Sequence, residues 1–130
     1  MSAGPPVKIP QTAHAAWREW LMVIAGYTLT AVATLWPLAD RLRTAMVPAV
    51  TGDPLLNAWI LAWDADRMRH GFSGLWNAPL FYPASDTLAW SEHLIGIALF
   101  TAPVQWLTGQ PVLVYNLALL ESVVLAGAGM

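Results

Sequence analysis

The chain has 130 residues, 57% of them apolar and 11% charged, with a net charge of −2 and no cysteine. Soluble domains carry about 25% charged residues, so the composition points to an integral membrane protein rather than one with a water-facing surface all round. The charge balance leaves no basic footprint for nucleic acid, and the lack of cysteine excludes disulfides and thiolate metal sites.

Residues 1–16 are polar and proline-containing, and read as a disordered N-terminal tail. Residues 17–38 follow as a first membrane-spanning helix. Its run from Leu21 to Leu38 has no charge, close to the roughly 20 residues that cross a bilayer. Trp17, Trp20 and Trp36 fall at its two ends, as interfacial anchors do. A signal peptide is the competing reading. Against it, the apolar stretch is long, starts late and has no small-x-small cleavage site after it.

Residues 39–87 form a long connection that holds most of the charge. Within it, residues 54–70 have explicit helix signals. Asp53 stands where an N-cap belongs, Pro54 suits the first helical position, and Gly71 suits the position after the end. Arg67, Arg69 and His70 place positive charge in the last turn. Leu56, Trp59, Ile60 and Trp63 make one apolar side, and Asp53, Asn57 and Asp64 fall close together beside it. This predicts an amphipathic helix lying at the membrane interface. The aromatic segment from Phe72 to Pro83 reads as irregular chain on the same surface.

Residues 88–107 read as a second span, with Ser91, Glu92 and His93 in its first turns and Pro103 near its far end. Thr108-Gly-Gln-Pro111 is a tight uncharged turn, and residues 112–130 read as an antiparallel third span, interrupted by Asn116 and Glu121. The last residues have no polar flank, which predicts a truncated span and further helices beyond it. The fold class expected is therefore an all-α membrane protein. It has three transmembrane helices and a long first loop carrying an interfacial helix, and is a fragment of a larger bundle. Lys and Arg counts weakly favour a cytosolic loop, through Arg41, Arg43, Arg67 and Arg69 against Lys8 and Arg18.

Four stretches resemble a known group. Thr51-Gly-Asp-Pro-Leu-Leu-Asn-Ala-Trp-Ile-Leu-Ala-Trp63, Leu80-Phe-Tyr-Pro83, Leu88-Ala-Trp-Ser-Glu-His-Leu94 and Pro111-Val-Leu-Val-Tyr-Asn-Leu117 are similar to the opening of large bacterial multispanning proteins. Those in turn resemble the C-type glycosyltransferase superfamily (GT-C), which uses polyprenyl-phosphate sugars. The resemblance runs from about Trp36 to the end. It implies an inner-membrane, multi-pass protein with a cytoplasmic N-terminus and a periplasmic first loop, against the arginine count. It implies transfer of a sugar from a lipid-phosphate carrier to an acceptor at the periplasmic face. The partners would be membrane lipid, the lipid-linked sugar and further helices of the same protein. An acid in the first loop acts as base or orients the acceptor, and Asp53 occupies that place. A divalent metal assists some members and is the one cofactor implied. Paired acids are common in that loop. Here Asp64 and Asp66 project about 200° apart on a helix, so they do not converge on one ion.

The residues themselves allow two readings each. Asp53 is a helix cap, a catalytic carboxylate, or both, since a capping acid keeps one oxygen free. Asn57, one turn on, would hold that carboxylate or a sugar hydroxyl. Trp59 and Trp63 would anchor the helix or stack on a sugar. Asp64 and Asp66 read as salt partners of Arg67 and Arg69. Glu92 and His93 form a second candidate substrate-binding cluster, because ionisable groups at a span are costly. Two non-catalytic readings compete: a membrane subunit or scaffold whose loop helix binds a partner, and a transporter fragment with Glu92 and Glu121 as coupling acids.

Overall fold

The computed structural model describes residues 12–47 and 52–130, and every element among them is helical. The helices are α1 (Thr12–Thr34), the single turn α2 (Trp36–Ala39), α3 (Asp53–Arg69), α4 (Ile95–Thr108) and α5 (Pro111–Ala128), with a 3₁₀ turn at Thr87–Trp90 before α4. The all-α expectation therefore holds at the level of secondary structure. Residues 1–11, most of the expected tail, lie outside the described residues, as does Thr51. Helix α1 starts at Thr12, inside that expected tail, and stops at Thr34.

Among the described residues, one helix is long and apolar enough to cross a membrane: α5, with a mean hydropathy of 1.7. Helix α1 has 23 residues but includes Arg18 and Glu19. The second expected span is shorter than residues 88–107. Helix α4 has 14 residues, about 21 Å of rise against a hydrocarbon core of about 30 Å. The difference has a physical cause. Leu88 is fully buried against Ile60 of α3, so the apolar residues before position 91 belong to a packed loop rather than to a span.

Helix α3 is central. Its start is set by Gly52, at φ 133°, whose carbonyl accepts from the N–H groups of Leu55 and Leu56 at 3.1 and 3.0 Å. Its end is a Schellman motif. Gly71, at φ 62°, donates to Met68 O at 3.2 Å, and Phe72 donates to Arg67 O at 2.7 Å. One long side of α3, with Leu56, Trp59, Ile60 and Trp63, packs on Leu75, Ala78, Leu80 and Leu88 of the following loop. A second side, through Leu61 and Met68, packs on Leu94, Ala98 and Val104 and on Val114 and Ala118 of α5. The helix expected to float at the interface is thus clasped from both sides.

Helices α3 and α4 run side by side in one direction. Leu94 and Ala98 lie with Leu61, while the Trp106 indole N–H donates to Ala65 O at 2.7 Å and Arg69 covers the Trp106 ring. Gly109, at φ 61°, ends α4 and lets α5 return antiparallel. Helix α1 packs along the far half of α5. There Gly127 faces Tyr27 so closely that a Cβ would meet its ring.

The loop between α3 and α4 is held by its own polar bonds. Thr87 Oγ1 donates to Ala78 O at 2.8 Å, the Leu88 N–H to Trp76 O at 3.1 Å, and the Asp86 N–H to Asn77 Oδ1 at 3.0 Å. The segment after α2 is tied to α5. The Asn116 amide donates to Leu42 O and Ala45 O at 2.8 and 2.7 Å, and the Tyr115 hydroxyl donates to Val47 O at 3.2 Å.

Candidate functional site

Asp53 is the first residue of α3 and makes no side-chain capping bond; Gly52 holds the cap position. The capping role expected for Asp53 is corrected accordingly. Gly52 reaches a backbone angle closed to other residues, so the chain turns into the helix one position early. The Asp53 carboxylate is exposed at the positive end of the helix. Asn57, one turn on, is half-buried, and its Oδ1 has no hydrogen-bond partner. It lies on the side of α3 that carries Leu61, toward α4 and α5.

Asp64 lies on that same side, between Leu61 and Met68. It is 0% exposed, and neither carboxylate oxygen has a hydrogen-bond partner. The salt-partner expectation for Asp64 is therefore corrected: helical phase turns it inward, away from Arg67 and Arg69. Asp66 takes the surface role instead. It accepts from Arg67 Nε at 3.0 Å, and the His70 ring approaches it at 3.7 Å. Arg69 lies over Trp106 rather than on an acid. Burial pushes the Asp64 carboxyl up to about 6, with the nearby His93 drawing it back down in part.

Glu92 and His93 are not in the first turns of a span. They lie in the non-helical segment Ser91–Leu94 that leads into α4. Glu92 is exposed and His93 half-buried. The His93 ring leans on Trp76, with centroids 4.7 Å apart and planes at 53°. Its Nδ1 accepts from the Ile95 N–H at 3.2 Å, while its Nε2 is buried with no partner.

Trp59 and Trp63 stack on each other at 5.6 Å, with planes 14° apart. Both are half-buried against the loop, the Trp63 indole N–H donates to Leu75 O at 2.9 Å, and Arg67 covers the Trp63 ring. Glu121 is half-buried on α5, in an open groove of about 560 Å³ shared with Trp20, Ile24 and Thr28 of α1.

The candidate residues therefore divide into two places. Asp53 stands at the open end of α3, with Asn57 one turn inward. Asp64 is enclosed deeper, roughly 16 Å further along the helix at 1.5 Å per residue, with both oxygens unpartnered. Among the described residues no three acids or imidazoles come together as a metal would need. The enclosure of Asp64 escaped the sequence reading; the available signal was that Asp64 shares a helix side with Asn57 rather than with Asp66.

Comparison with known proteins returned no match to a family model, a curated protein or a solved structure.

Proposed function

We propose that this chain is the N-terminal part of a GT-C-type membrane glycosyltransferase, with Asp53 as the base that activates the acceptor. In this reading α1, α4 and α5 are embedded in the bacterial inner membrane and α3 stands at the periplasmic face. The observation that carries it is the exposed Asp53 carboxylate in the first turn of a helix that is clasped on both sides along its length. The base is presented on a rigid element, open to an incoming molecule.

Membrane embedding is supported by the outward apolar side chains of the three helices. Leu21, Met22, Ile24 and Leu29 on α1, Leu99, Phe100 and Leu107 on α4, and Val123 and Leu125 on α5 are all exposed. In a bilayer such positions face lipid at no cost. The loop after α3 presents Phe81, Tyr82 and Trp90, the last two 94% and 85% exposed, and aromatic side chains of this kind settle at the head-group level.

The chemistry balances simply. The acceptor hydroxyl oxygen forms a bond to the sugar anomeric carbon. The bond from that carbon to the carrier phosphate breaks, and the phosphate leaves with the electron pair. Asp53 takes the hydroxyl proton, a contribution of about 10²–10⁴-fold for a positioned base. The positive end of α3 also favours negative charge at this place, whether the ionised Asp53 or an approaching phosphate. The test is Asp53→Asn in the full-length protein, assayed for sugar transfer from a polyprenyl-phosphate donor in native membranes. Loss of turnover at unchanged expression is expected, and unchanged turnover overturns the assignment.

A second reading is a non-enzymatic membrane subunit that docks through the exposed aromatic loop, favoured by the outward position of Phe81, Tyr82 and Trp90. It requires that Asp53→Asn be silent and that alanine at these three aromatics abolish partner capture.

A further inference from the structure

Glu121 is the one acid of α5, and it has no part in the reaction above. It lines the groove of about 560 Å³ between α1 and α5, whose other walls are apolar: Ile24 on α1, and Leu117, Leu120, Val124 and Leu125 on α5. It stands about 15 Å along α5 from Pro111, half the depth of a hydrocarbon core of about 30 Å. Among the described residues its carboxylate takes part in no ion pair and no hydrogen bond. The Thr28 hydroxyl, in the same groove, donates to Ile24 O at 2.7 Å and is spent within α1. Arg18 lies at the end of α1 that faces Ala128 and Met130, about 10 Å of helix from Glu121.

We propose that this groove seats a further transmembrane helix, one that brings a lysine or arginine level with Glu121. The proposal rests on the membrane embedding of α1 and α5 read above, and not on the role of Asp53. Charge complementarity selects the occupant. The apolar walls call for nothing, because lipid tails are as apolar as leucine. An ionised carboxylate in hydrocarbon is costly, and such groups face a bundle interior and pair with a partner there. An acyl chain lying in the groove covers the walls but offers the carboxylate no donor. A lipid head group carries cations, but at the interface, roughly 15 Å from the midplane. A second copy of this chain, seated by two-fold symmetry, brings one Glu121 toward the other. A helix with a basic residue at that depth supplies the counter-charge and has its own charge met in return.

The occupant would be added without displacing the rest of the fold. Helices α3 and α4 pack on α5 through Val114 and Ala118, and the groove opens on the side of α5 that carries Leu117, Glu121 and Val124. The seat of α3, and Asp53 with it, is therefore independent of whether the groove is filled.

The experiment measures energy transfer between the full 130-residue chain, labelled at its N-terminus, and a labelled leucine-rich helical peptide of about 20 residues. Both are placed in vesicles of phosphatidylethanolamine and phosphatidylglycerol. One peptide carries a single lysine at its centre, a second carries a single glutamate there, and a third has neither. The wild-type chain is expected to bind the lysine peptide roughly fivefold or more tightly than the uncharged one. Glu121→Gln should abolish that preference, and Glu121→Lys should transfer it to the glutamate peptide, which also shows that the variants still fold. Equal binding of the lysine and uncharged peptides by the wild type overturns the proposal. So does a preference that survives Glu121→Gln, or self-association of the chain that excludes the lysine peptide. Flotation of the same vesicles separates the two levels of the argument. A chain that does not float with lipid removes the membrane reading and this proposal together; one that floats but ignores the lysine removes this proposal alone.

Discussion

Asp64 and Asn116 are both enclosed, yet they carry opposite consequences. The Asp64 carboxyl has no donor, and burial pushes its pKa from the ordinary 3.8 up to about 6 in the folded chain. The folded state therefore holds this proton more firmly than the unfolded chain does. The stability it contributes is fully present below about pH 4 and is lost as pH rises through about 6. Between pH 4.5 and 7.5 the wild-type chain should lose about 2 kcal/mol from this group alone, at 1.36 kcal/mol per pKa unit. Denaturant unfolding in micelles at the two pH values measures it, and Asp64→Asn should flatten the difference. Asn116, by contrast, spends its amide on two carbonyls of the segment after α2. Asn116→Ala should cost about 1–3 kcal/mol and speed tryptic cleavage at the exposed Arg41 and Arg43, read by gel after limited digestion.

Legibility differed from element to element for identifiable reasons. Helix α3 could be read to within one residue at each end because its boundaries are local chemistry: Pro54 at the entrance, Gly71 beyond the exit and basic residues in the last turn. What its sides would touch could not be read, since the period of Leu56, Trp59, Ile60 and Trp63 is the same whether a helix lies on lipid or on its own loop. The start of α4 was misplaced for a related reason. Leu88, buried on Ile60, and Leu94, packed on Leu61, look alike in a run of apolar residues. That the side of α3 carrying Asp64 would be covered is a tertiary fact with no local signature. A test at this scale concerns the exit of α3. Gly71→Ala places a Cβ at φ 62°, where an L-residue costs about 1–2 kcal/mol. The Schellman bonds should loosen, seen as faster hydrogen exchange at the Gly71 and Phe72 amides, while Asp53 at the other end is undisturbed.

Across the whole molecule, α5 is the shared support: α1, α3 and α4 all pack against it. Its contact with α1 passes through Gly127, where the Tyr27 ring occupies the place of a side chain. Gly127→Ala should push α1 away at a cost of about 1–3 kcal/mol, as overpacking does. Tyr27→Ala in the same chain should recover most of it. Thermal unfolding of the four members of that cycle in micelles checks the coupling, and strict additivity would show that the two residues do not meet.

The clip from Asn116 to the carbonyls of Leu42 and Ala45 joins residues 74 and 71 positions apart. A ribosome must therefore deliver at least the first 116 residues before the backbone at Leu42 and Ala45 gains its anchor. Helix α3 can wind on its own local signals much earlier, while the backbone at Leu42 and Ala45 waits for α5. A shortened chain ending before Pro111 would still contain Asp53 while lacking the hold on the backbone just upstream of it.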